Sequence, residues 1–72
     1  MKNYIERTLE QIQEIGASKG LVLSCDIYYD NLRVERGEQF VVRISDAKRV
    51  RHFRTNHIRK SLKAALEFVK GL

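Results

Sequence analysis

The chain has 72 residues, 43% hydrophobic and 32% charged, with 14 Lys and Arg against 9 Asp and Glu for a net charge of +5. Such a composition excludes a disordered tail, and the length allows one domain that buries only about 60% of its unfolded surface. No apolar run nears the ~20 residues of a membrane helix, the polar opening "KNYIERTLEQI" predicts no signal peptide, and one Cys with two His excludes an internal disulfide and a closed zinc site.

Asn3 followed by Glu6 reads as a helix start, the Asn accepting from an early amide and the Glu reaching back. Ile5, Leu9, Ile12 and Ile15 then recur at helical spacing, so a first helix is expected from Tyr4 to Ile15, stopped by Gly16, with Gly20 in the following turn. Glu6, Glu10 and Glu14 give it an acidic stripe. Next, Leu21, Leu23, Cys25, Ile27 and Tyr29 alternate with Val22, Ser24, Asp26 and Tyr28, the period of a strand with one buried face. Cys25 is thereby expected to be a buried small hydrophobe in a reducing cytoplasm. Turn residues at 30–31 and 36–38 bracket "LRVE" at 32–35, which reads either as a short extra strand or as loop.

"QFVVRIS" predicts a second strand with Phe40, Val42 and Ile44 inward and Gln39, Val41, Arg43 and Ser45 outward. "RVRHFR" predicts a third, with Val50 and His52 on one side and Arg49, Arg51 and Phe53 on the other. The closing "TNHIRKSLKAALEFVKGL" predicts a helix capped by Thr55 or Asn56. Its Ile58, Leu62, Ala65, Leu66 and Val69 form one face, and Arg59, Lys60, Lys63 and Lys70 the opposite one. Together these predict an α+β two-layer sandwich, α-β-β-β-α, with two helices on one face of an antiparallel three-stranded sheet and the other face open to water.

The charge is unevenly placed. Residues 47–66 hold seven Lys or Arg and no acid, while the other 52 residues carry seven bases against nine acids. A local basic patch is the usual footprint of a nucleic-acid partner. Lys48, Arg49 and Arg51 fall in or beside the third strand, and Arg54, Asn56 and His57 in the connection after it. Arg59, Lys60 and Lys63 fall on the outer face of the last helix's first two turns. Cations there oppose the helix dipole by about 0.3–1 kcal/mol each, so an anion is the natural explanation, and the helix amides would add to its binding. Phe53, between Arg51 and Arg54, is the aromatic expected to stack on bases.

This order of elements, with "RKSLKAAL" at 59–66, resembles the double-stranded-RNA-binding domain, whose last helix opens with a basic K-K-x-A-K-x-x-A-A pattern. The resemblance implies that Arg59, Lys60 and Lys63 contact phosphate. Two departures stand beside it: the family's Gly-Pro-x-His loop element is replaced by "ERGEQF", and the first helix presents acids.

The expected function is therefore a non-enzymatic, cytoplasmic binding protein for RNA or DNA phosphates, with low sequence selectivity and no metal, cofactor or membrane partner. A second reading is a phage or mobile-element accessory protein. Its basic face would dock on an acidic host protein or nucleoprotein complex to inhibit or modulate it, as a monomer or homodimer. A third is a toxin-like ribonuclease using His52 or His57, similar to small toxins on an α-β-β-β-α scaffold. Their Gly-Ser-His-type motif is absent here, and no catalytic arrangement is legible.

Overall fold

A computed structural model describes residues 2–72 as α1 (Tyr4–Ser18), β1 (Ser24–Tyr29), a 3-10 helix (Asn31–Arg36), β2 (Phe40–Ser45), β3 (Val50–Thr55) and α2 (Ile58–Lys70). The strands form one antiparallel sheet in the order β1-β2-β3. Both helices pack on the same face of it, as the alternation of apolar residues requires. The core between the layers is Ile12 from α1, Val42 and Ile44 from β2, and Leu62, Ala65 and Val69 from α2.

The helices run parallel. The Arg59 guanidinium lies over the Tyr4 ring, joining their N-terminal ends, and Lys19 Nζ donates to the Leu72 carbonyl, joining their C-terminal ends. Ser61 pins α2 to the sheet. Its hydroxyl donates to the Phe40 carbonyl at 2.8 Å and shares a 2.7 Å hydrogen bond with Thr55 Oγ1.

Five local expectations are corrected. First, α1 does not stop at Gly16 but continues to Ser18. Gly16 is buried where the helix crosses Leu23, and a Cβ there would lie 2.5 Å from Leu23 Cδ1. The stop is Gly20, at φ +75°, where Gly20 N–H donates to Ala17 and Leu21 N–H to Gly16 in a Schellman closure. Second, β1 starts at Ser24 rather than Leu21, because β2 ends at Ser45 and offers no ladder partner beyond it.

Third, residues 32–35 are neither extra strand nor open loop. The Asp30 carboxylate caps the Leu32 amide at 3.0 Å, and Gly37 at φ +67° closes the 3-10 helix. Fourth, Val41 is fully buried although it lies on the outer face. Its ladder neighbours there are Tyr28 and Arg54. Arg54 is held across that face by Asp30 at 3.4 Å, so long side chains cover the central strand. Fifth, the cap of α2 is His57, whose Nδ1 accepts from the Arg59 amide at 3.1 Å; Thr55 closes β3 and Asn56 is exposed.

Candidate nucleic-acid interface

The basic run is continuous in sequence and divided in space. β3 is six residues long, so Lys48 and Arg49 at the β2–β3 turn stand roughly 20 Å from Asn56 and His57 at about 3.3 Å per residue. The turn also carries its own counter-charge. The Asp46 carboxylate accepts from the amides of Lys48 (2.7 Å) and Arg49 (2.9 Å) and lies 3.6 Å from Arg49 Nε. These hydrogen bonds, the Lys48 one foremost, hold its pKa below the ordinary carboxylate value.

Register sorts the β3 residues. His52 and Arg54 pair with Arg43 and Val41 on the outer face, while Arg51 and Phe53 pair with Ile44 and Val42 on the helix face. Arg54 is occupied by Asp30. Phe53 is not on the open sheet face: its ring packs on Phe68 of α2, centroids 5.4 Å apart, against the core. The Arg51 guanidinium covers both rings, 5.6 Å from Phe53 and 5.0 Å from Phe68. The two histidines are not brought together. His52 lies exposed in mid-strand, and His57 spends its Nδ1 lone pair on the helix cap.

A second basic cluster forms around α2. At the start of α2, on its α1 side, Arg59 stacks on Tyr4 at 4.7 Å, and near its end, nine residues or roughly 13 Å further along, Arg51 stacks on Phe68 on the β3 side. Lys60 and Lys63 stand exposed on the solvent ridge between them, with Lys60 Nζ donating to Asn56 Oδ1 at 3.4 Å. Because the helices are parallel, one turn beyond the Tyr4–Arg59 contact brings Arg7 and Thr8 level with Leu62 and Lys63. Thr8 and Leu62 are buried in the seam, while Arg7 and Lys63 are exposed beside it. Among the described residues, Arg7, Arg51, Arg59, Lys60 and Lys63 make no ion pair, whereas Arg33, Arg43, Arg49 and Arg54 all do.

Arg7 lies outside the basic run, in the acidic helix, and only the parallel packing of α1 on α2 brings it to the cluster. Two of the three acids of α1 face elsewhere, while exposed Glu14 lies on the Arg7 face about two turns further along. Glu6 and Glu10 are turned roughly 200–240° from Tyr4 at about 100° per residue, away from α2, and Glu10 is taken up by Lys2.

Among the described residues, no three His, Cys, Asp or Glu side chains come together as a metal site, and no helix is long and apolar enough to cross a membrane. No protein-family model, curated protein or solved structure matches the chain.

Proposed function

We propose that this protein binds nucleic-acid phosphates along α2, as a binding protein rather than an enzyme. Arg59 and Arg51 flank the track, Lys60 and Lys63 form its ridge, and Arg7 joins from α1. The observation that carries this reading is the pair of stacked, unpaired guanidinium groups on either side of one helix. Stacking uses the face of a guanidinium and leaves its in-plane N–H donors free, and it orders the side chain before a ligand arrives. That is the geometry a phosphate oxygen needs.

Placement against local preference supports the same reading, since Arg59 and Lys60 stand in the first turn of α2, where the dipole disfavours cations. The resemblance of 59–66 to the basic helix of double-stranded-RNA-binding domains points to Arg59, Lys60 and Lys63. Contacts of this kind read the backbone and not the bases, so sequence selectivity is low. Lys48 and Arg49, at the far end of β3 and partly neutralised by Asp46, are peripheral to the track.

Two charge-reversal variants test this. Fluorescence anisotropy with duplex RNA, duplex DNA and single strands is compared for Arg59→Glu/Lys60→Glu/Lys63→Glu and for Lys48→Glu/Arg49→Glu. The first is expected to lose at least tenfold in affinity and the second less than threefold, and the tightest probe identifies the nucleic-acid form. Wild-type binding no tighter than millimolar at low salt would sink the proposal, as would equal losses in the two variants.

A further inference from the structure

The surface along α2 is not evenly basic. Arg59, Lys60 and Lys63, with Arg7 beside them, occupy the first two turns, while Arg51 stands alone near the end of the helix, over Phe68. The two groups lie about 13 Å apart along the axis and on opposite flanks of a helix about 10 Å across, so roughly 16 Å separates them.

An acid interrupts the ridge between the groups. Glu67 is exposed, follows Lys63 by one turn on the same face and immediately precedes Phe68. Helical side chains lean towards the N-terminus, which carries the Glu67 carboxylate back over the turn of Lys63 and Ala64. Among the described residues its ion pair is with Lys70, at 3.7 Å, with side chains 61% and 48% exposed. A pair so open to water is worth little and leaves the carboxylate able to repel a neighbouring anion.

The two forms of nucleic acid meet this arrangement differently. A single strand reaching from one basic group to the other lays its phosphates along the whole stretch, past Glu67. A duplex carries two phosphate rows with a groove between them, about 12 Å wide for the major groove of B-DNA. Each basic group then takes one row, and the acid faces the groove, where base amino groups and, in RNA, 2′-hydroxyls are donors. Resting on the reading that α2 binds phosphates, we propose that this surface bridges the two strands of a duplex across a groove. Arg51 is the contact to the second strand, and Glu67 is the residue that discriminates against single strands.

Anisotropy titrations with duplex RNA, duplex DNA and a non-self-complementary single strand of each, all of equal length, test this in the wild type, Glu67→Gln and Arg51→Gln. The wild type is expected to bind the preferred duplex at least tenfold more tightly than either single strand, and that duplex identifies the source. Glu67→Gln should tighten single strands at least threefold more than duplexes. Arg51→Gln should weaken duplexes at least threefold more than single strands. Circular dichroism checks the folding of both variants, whose positions are exposed. Equal shifts of single strands and duplexes in Glu67→Gln overturn the bridging, as does a wild type that binds both forms equally. Either result leaves the α2 reading standing where the Arg59/Lys60/Lys63 reversal still abolishes binding, whereas no binding to any probe overturns both.

Discussion

Ser61 has no exposure to solvent, yet it is a hydroxyl, and both its partners are backbone or side-chain groups of the sheet. Ser61→Ala removes the bond to the Phe40 carbonyl and the one shared with the Thr55 hydroxyl, which keeps the His57 carbonyl as its acceptor. A loss of about 1–3 kcal/mol is expected, read from the urea midpoint; an unchanged midpoint would mean that water reaches this layer. Gly16 offers a second test. Helix propensity alone favours Gly16→Ala by up to about 1 kcal/mol, but the new Cβ falls 2.5 Å from Leu23 Cδ1 and 2.9 Å from its Cγ. Overpacking costs about 1–3 kcal/mol, so the variant should be less stable than the wild type.

Two titratable side chains make predictions of their own. Burial, with the Asp26 charge adding to it, pushes the Cys25 thiol up to about 11. The folded protein should therefore react with thiol reagents at neutral pH far more slowly than the same chain in denaturant. Asp46 is shifted the other way, downward, by the Lys48 and Arg49 amides. A carboxylate with a lowered folded pKa adds stability that is complete above its unfolded pKa and lost as pH falls through the folded value. Asp46→Asn should accordingly flatten the acid limb of the stability curve while leaving its slope at neutral pH unchanged.

Among the elements, α2 shows most plainly a conflict between local stability and the proposed role. Its apolar face is buried as the spacing of Ile58, Leu62, Ala65 and Val69 requires, and its first turn carries cations where anions belong. Lys60→Glu places an acid at the third helical position, where the dipole and the cap favour it. Stability is expected to rise by about 0.3–1 kcal/mol in thermal unfolding while nucleic-acid affinity falls. A variant that loses both would indicate that Lys60 supports the fold and not a ligand.

The elements themselves were largely legible, because alternation and helical spacing record which face is buried. The errors fell where a side chain or a distant element decides the outcome. Gly16 and Gly20 look alike in sequence, and only the crossing of Leu23 distinguishes a close approach from a stop. Residues 32–35 have a strand-like composition, but the Asp30 carboxylate and Gly37 bend them into a 3-10 helix. Val41 sits at an outward position and is covered by a side chain that Asp30 holds down from 24 residues away.

For the whole molecule, the basic run was visible at once and its arrangement was not. A run that includes an extended strand is necessarily drawn out, so Lys48 and Arg49 part from Arg59 and Lys60. What gathers around α2 instead comes from three elements. Arg51 is oriented by Phe68, Arg59 by Tyr4, and Arg7 is delivered by the parallel packing of α1. None of these partnerships lies within one turn or one strand, so local periodicity carries no trace of them. The pairing of Arg54 with Asp30 is equally long-range, and it removes a cation the linear run had counted as free.

The most direct test of the α2 track is the salt dependence of its binding to duplex DNA. Each neutralised phosphate contributes about −0.9 to the slope of log K against log salt. With Arg7, Arg51, Arg59, Lys60 and Lys63 engaged, the slope should lie near about −4, falling to roughly −2 or less in magnitude when Arg59, Lys60 and Lys63 are reversed. A wild-type slope near zero, or one that the triple reversal leaves intact, would contradict phosphate binding along α2.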